Sequence, residues 1–121
     1  MLILEADFAG QVPVDGYGPG FFRVGGQIHR GNVLVHPQGV IPWGGYTDID
    51  APRTLADQID VLFIGTGPEI AFAPKSLIEP LEAIGIMCEA MATPSAARSY
   101  NVLLSEGRRV AVALLVMPET A

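Results

Sequence analysis

Thr93-Pro94-Ser95-Ala96-Ala97-Arg98-Ser99-Tyr100-Asn101-Val102-Leu103-Leu104-Ser105-Glu106-Gly107-Arg108-Arg109 reads as one capped helix, and what flanks it decides the fold. Thr93 is expected to be the N-cap, because its hydroxyl can accept from the free amides of the first turn. Pro94 then takes the first helical position, where a missing N–H costs nothing. Gly107 ends the helix, since the left-handed closing residue is cheapest for glycine. Arg108 and Arg109 follow, near the negative end of the helix dipole. At helical spacing Ala96, Tyr100, Leu103 and Leu104 gather on one side, and Arg98, Asn101 and Ser105 on the other.

On either side of this helix lie strand-like runs, Ile86-Met87-Cys88-Glu89-Ala90-Met91 before it and Arg109 to Met117 after it. Further upstream, Val61-Leu62-Phe63-Ile64-Gly65 is apolar and uncharged, as expected of a strand covered on both faces. A helix is expected between Pro74 and Ile84, with Ser76 and Glu79 as a capping box that keeps Pro80 in the first turns. Thr54 is expected to cap a short helix through Ile59. This alternation of strand and helix predicts a layered α/β domain.

The first half reads as β structure with tight turns. Phe21 to Val24 and Gln27 to Arg30 flank Gly25-Gly26, a two-residue hairpin signal. Gly31-Asn32 and Pro37-Gln38-Gly39 bracket Val33-Leu34-Val35-His36 as further turns. The run Gly16-Tyr17-Gly18-Pro19-Gly20 is expected to be a loop.

A length of 121 residues, half of them hydrophobic, fits one domain spanning 1–121. One cysteine, Cys88, excludes an intrachain disulfide. The net charge of −6 argues against nucleic acid as a partner. No run reaches the ~20 apolar residues of a membrane-crossing helix, and the N-terminus lacks a basic start and apolar stretch. A cytoplasmic protein that does not span the membrane is the expectation.

The candidate ligand site is a crevice. Gly65-Thr66-Gly67 follows one buried strand, and Thr93 to Ala96 follows another and opens a helix. If those strands are parallel neighbours, loop amides and a helix N-terminus face one pocket, an arrangement suited to a small anion. Ser95, Arg98 and Asn101 would complete it, Arg98 offering a fork for carboxylate or phosphate. The alternative is that the glycines merely permit a turn and Thr93 caps its helix, with Arg98 paired to Asp48, Asp50 or Glu89. The loop is too short for a nucleotide-binding P-loop and lacks its lysine. Trp43 and Tyr46, among turn residues, and Arg108 form a candidate partner surface, unless Trp43 instead packs its loop onto the sheet. His29 and His36 lie in adjacent predicted strands without further ligands, so no metal is assigned. No Gly-x-Ser-x-Gly elbow occurs; catalytic residues remain unassigned, and no cofactor is implied.

Taken together, several pieces carry a family likeness. They are Gly16-Tyr17-Gly18-Pro19-Gly20-Phe21 with Arg23-Val24, Val33-Leu34-Val35 with Trp43, and Ile64-Gly65-Thr66-Gly67. Gly85-Ile86 with Glu89-Ala90-Met91, Arg98 through Leu104, and Glu106 through Val110 complete the set. The chain resembles the domain-of-unknown-function 498 family, whose eukaryotic members include a mitochondrial respiratory complex I assembly factor. The resemblance implies a three-layer α/β fold with a mixed central sheet, flanking helices and an additional small β element. It implies no known reaction. It does imply protein partners, at a membrane-associated assembly in the eukaryotic case, while bacterial relatives are often encoded near protein-export genes. Relatives commonly carry an acidic residue where this chain has Ala92 and a cysteine where it has Ala97. The expected role is therefore a non-enzymatic assembly or interaction factor. The alternative is a small anionic-ligand-binding module or minor enzyme using the crevice.

Overall fold

The computed structural model of the chain describes residues 11–118. The expectations for the N-terminal leader and for the two chain ends lie outside them. In chain order the elements are β1 (Val14–Gly18), β2 (Phe21–Val24), β3 (Gln27–Arg30), β4 (Val33–His36) and β5 (Gly39–Pro42). Then come α1 (Asp50–Arg53), β6 (Val61–Gly65), α2 (Lys75–Ala83), β7 (Met87–Met91), α3 (Thr93–Ser105) and β8 (Val110–Leu114). The first three strands form an antiparallel sheet in the order β1-β2-β3, and the rest form a mixed sheet ordered β5-β4-β8-β6-β7. β6 runs parallel to both β7 and β8, whereas β4 is antiparallel to β5 and β8.

β4, β6 and β8 are buried at every position, and their alternation divides the core in two. Val33, Val35, Val61, Phe63, Val110, Val112 and Leu114 face α3 and the small sheet, meeting Ala96, Tyr100, Leu104 and Phe22. Leu34, Leu62, Ile64, Ala111 and Ala113 face the other way, onto Leu77 and Leu81 of α2, with Leu55, Ile59 and Trp43. The crossover from β6 to β7 runs outward across the sheet and that from β7 to β8 runs back. With the same right-handed sense in both, the connecting helices fall on opposite faces. The result is three layers, with the small β element beside α3.

The Gly25-Gly26 turn forms as the sequence predicts, with φ of 57° and 83° and Val24 paired to Gln27. Positive φ at both positions is what a two-residue hairpin of matching twist requires. The Gly16–Gly20 run departs from expectation: Gly16 and Gly18 lie within β1, and only Gly20, at φ 75°, needs a glycine's freedom. His29 and His36 fall in different sheets, so their strands are adjacent in sequence alone.

Three cap assignments also change. α1 ends at Thr54 instead of starting there, and the Thr54 hydroxyl donates back to the Ala51 carbonyl at 2.7 Å. α2 starts at Lys75 on an extended Pro74, with no side-chain cap and with Pro80 inside the helix. Pro80 has no N–H for the Ser76 carbonyl, and the helix ends three residues later. α3 begins at Thr93 with Ala92 as its cap residue. Its far end closes as expected: Gly107 sits at φ 81°, Gly107 N–H donates to Leu104 O at 3.0 Å and Arg108 N–H to Leu103 O at 3.0 Å. That pair of bonds is the glycine-terminated Schellman closure.

Candidate functional site

The loops after β6, β7 and β8 converge, as parallel strands in this order dictate. Gly65, Thr66, Gly67 and Thr93 come together there, and their polar groups bind one another. The Gly67 amide donates to Thr93 Oγ1 at 2.9 Å, and the Thr93 amide donates to the Gly67 carbonyl at 2.7 Å. The Thr93 hydroxyl in turn donates to the Leu115 carbonyl at 2.8 Å, and the Leu115 amide to the Gly65 carbonyl at 3.0 Å. Thr66 N–H reaches Met91 O at 2.9 Å, and its hydroxyl reaches Glu69 O at 2.7 Å. A Cβ on Gly65 would lie 2.8 Å from both Thr93 Oγ1 and Leu114 Cδ2. Thr93 thus ties three loops together instead of capping its own helix, which a sequence read one element at a time does not reveal.

The polar face of α3 is divided among separate tasks. Ser95 is half-buried in the first turn. Asn101 clamps the small sheet: Oδ1 accepts from Val14 N–H at 2.9 Å and Nδ2 donates to Val14 O at 2.8 Å. Tyr100, fully buried, donates its hydroxyl to the Val12 carbonyl at 2.9 Å, and burial raises its phenol pKa. Arg98 is exposed and lies away from the loop crevice, on a shallow cavity of about 440 Å³ with Phe63, Glu89, Met91, Ser99 and Val102. Asp50 pairs instead with Arg53 at 3.1 Å, and Asp48 accepts from the amides of Gly44 and Ala51.

Trp43 is only 4 % exposed, so of the two expectations it follows the one in which it packs its loop onto the sheet and is not a surface anchor. Its indole N–H donates to the Asp48 carbonyl at 3.0 Å, and Tyr46 meets its ring edge-on with centroids 6.3 Å apart. The pair closes the loop over the α1 and α2 side of the core. Tyr46 is half-buried, and burial raises its pKa. Arg108 is exposed.

The exposed apolar surface lies elsewhere, around the edge strand β7. Phe72 is 100 % exposed, Ile70 72 % and Met87 58 %. On the α2 side of β7, Ile70, Phe72, Ala73, Ile78, Cys88 and Ala90 line an open groove of about 500 Å³. On the α3 side lies the Arg98 cavity, and Gly85, Ile86, Met87 and Glu82 border a smaller hollow of about 280 Å³. The sequence does hold a signal for this surface: Glu89 is a charge inside β7, whereas the other two parallel strands, β6 and β8, have none. The Cys88 thiol is pushed up to about 12, first by burial and then by the Glu82 carboxylate. It is therefore protonated and unreactive at neutral pH. Among the described residues no cluster of metal-ligating side chains occurs, and no helix is long and apolar enough to cross a membrane.

The family described as protein of unknown function DUF498/DUF598 matches residues 14–115. The chain belongs to that family. An uncharacterized protein of Rhodobacter capsulatus is 58% identical over 114 residues, covering 94% of this chain and 92% of the relative. The Danio rerio NADH dehydrogenase [ubiquinone] 1 alpha subcomplex assembly factor 3 is 30% identical, over 96% of this chain and 71% of its own. Among solved structures, a Bartonella henselae protein described as an outer membrane protein is 38% identical with a TM-score of 0.81, covering 92% of this chain and 99% of that one. A Mth938-like domain from Bordetella pertussis has a TM-score of 0.75 at 28% identity, over 98% and 92%. These likenesses agree with the three-layer architecture and the resemblance read from the sequence.

Proposed function

We propose that this family member acts as an assembly-type interaction factor, working through protein contacts and not through catalysis. The observation that carries this reading is the apolar groove beside the open edge of β7, bordered by the exposed Ile70 and Phe72 with Ala73 and Ile78. Large apolar side chains gathered at one place on a surface are a mark of docking. The assembly factors among the relatives support it by name. Trp43 and Tyr46 contribute by stiffening the α2 side of the core behind that groove, and the exposed Arg108 lines none of the three cavities. The crevice at Gly65–Gly67 and Thr93 gives an anionic ligand little support, because its donors already serve one another.

A photo-crosslinking residue at position 72, in the protein expressed in its native cells, tests this reading. Reproducible adducts with a defined protein are expected from position 72 and not from position 57, an exposed site on the α1 side. Equal labelling at both positions would refute it.

A further inference from the structure

Among the described residues, β7 closes the five-stranded sheet with its outer side unpaired. Its inner side is fully engaged: Met87 N–H donates to Asp60 O, and Met91 O accepts from Thr66 N–H. Alternate residues of a strand aim their backbone groups to opposite sides. The amides and carbonyls of Cys88 and Ala90 therefore point outward, without a partner strand among the described residues. Proteins usually blunt such an edge with lysine, proline, a bulge or a covering segment. β7 has no proline and no lysine, and its register with β6 is unbroken from Met87 to Met91. The opposite edge strand, β5, carries Pro42.

The two faces of this edge differ in chemistry. Cys88 and Ala90 border the apolar groove with Ile70, Phe72 and Ile78. Glu89 and Met91 border the other cavity. Glu82 stands at the hollow beside Met87, and exposed Glu69 adjoins Ile70. Against these acids Arg98 is the one cation lining the three cavities, in a chain of net charge −6.

We propose that β7 takes up an extended segment of a partner protein as an added sixth strand, one that alternates apolar residues with basic ones. This rests on the interaction reading above and names the class of segment that the partner supplies. Apolar side chains of the added strand would fill the groove beside Phe72, and the alternate ones would lie opposite Glu89. Main-chain bonds supply affinity in this mode, and the pockets for alternate side chains supply specificity. A second copy of the chain fits less well. Antiparallel pairing of β7 with itself, about an axis normal to the sheet, sets Glu89 against Glu89, Met87 or Met91. Like charges directly opposite are destabilising, and a methionine leaves the carboxylate uncompensated.

The probe is a nine-residue peptide alternating lysine and valine, titrated into the intact protein and followed by amide exchange and calorimetry. Binding with new protection at the amides of Cys88 and Ala90 is expected. Ala90→Pro removes an outward N–H that the sheet does not use, a place where edge strands tolerate proline. It should weaken binding by about tenfold or more. Glu89→Lys should do the same, and so should N-methylation of alternate peptide amides, which leaves the protein untouched. Undiminished binding in these three arms would overturn the proposal, as would equal affinity for a glutamate–valine peptide. A dimer of the wild type that Ala90→Pro dissolves would reassign the edge to self-association and so overturn it. If crosslinking from position 72 survives Ala90→Pro, the interaction reading stands and strand addition falls. If crosslinking is absent while the peptide binds as described, the capacity of β7 to take an added strand stands, and the interaction reading falls with the partner protein as its source.

Discussion

Replacing Asn101 by alanine should cost far more than its half-buried setting suggests. The amide side chain makes two bonds to one residue, at 2.9 Å to Val14 N–H and 2.8 Å to Val14 O. Val14 is 6 % exposed and, among the described residues, has a strand (β2) on one side only, so both of its backbone groups lose their partner with little access to water. A hydrogen bond is worth about 1 kcal/mol net, and a buried group left unpaired costs about 1–3 kcal/mol. The combined loss is on the order of 3 kcal/mol, which in a domain of this size lowers the melting temperature by about 10 °C. Asn101→Asp should also be destabilising, because one carboxylate oxygen would still accept from the Val14 amide while the other faces the Val14 carbonyl. Arg98→Ala, on the exposed part of the same helix, should stay within about 0.5 kcal/mol of the parent. Guanidinium unfolding of the three variants measures all of this. If Asn101→Ala unfolds within about 0.5 kcal/mol of wild type, the clamp contributes nothing and the reasoning is wrong.

Thr93→Val should cost about 2–4 kcal/mol, because it strands the buried Gly67 amide and the half-buried Leu115 carbonyl. Thr93→Ser should recover most of that loss in the same unfolding assay. His36 Nδ1 accepts from the Gln38 amide, and burial holds its pKa below 6.5. The unfolded chain therefore takes up the proton first, so stability should fall as pH drops below about 6.5. His36→Asn should flatten that slope in melts between pH 7 and 5. Cys88, pushed up to about 12, should react with iodoacetamide far more slowly than the unfolded chain at pH 8. Its sign is opposite to that of His36: above about pH 9 the unfolded thiol ionises first, so stability falls as pH rises toward 12.

The sequence carried the elements of the large sheet with little loss, because β6 and β8 have continuous apolar runs and α3 has a sharp glycine stop. Pairing by two glycines made the β2–β3 hairpin equally legible. The caps were harder. Thr54 and Thr93 look like N-caps, yet Thr54 closes a helix by donating back to Ala51 O, and Thr93 spends its hydroxyl on a carbonyl that only the folded chain brings near. Thr93 is the clearer case, since Leu115 lies 22 residues away. The polar face of α3 was visible as a pattern but not as a division of labour. Asn101 looked like Arg98 because nothing in a helical wheel shows that β1 will pass over one and not the other. Trp43 was ambiguous for a related reason: turn residues around it allowed exposure or packing, and its partner Asp48 O is a backbone atom with no sequence signature. The β7 edge went unread because edge position is a property of strand order. That order depends on β8 inserting between β4 and β6.

The same insertion bears on how the protein is made. β8 is the strand that joins the two halves of the sheet, yet it is synthesised after every other described strand. At about 5–20 residues per second, on the order of ten seconds pass between emergence of β4 and of its inner neighbour. During that interval the β4–β5 hairpin and the β6–β7 pair can each form, but they share no edge. Closure of the large sheet is therefore a late event of biosynthesis, and the nascent chain waits with Leu34, Leu62 and Ile64 uncovered by their final neighbours. A released chain cut before Val110 would hold two half-sheets, each with a long apolar edge that β8 alone is shaped to fill.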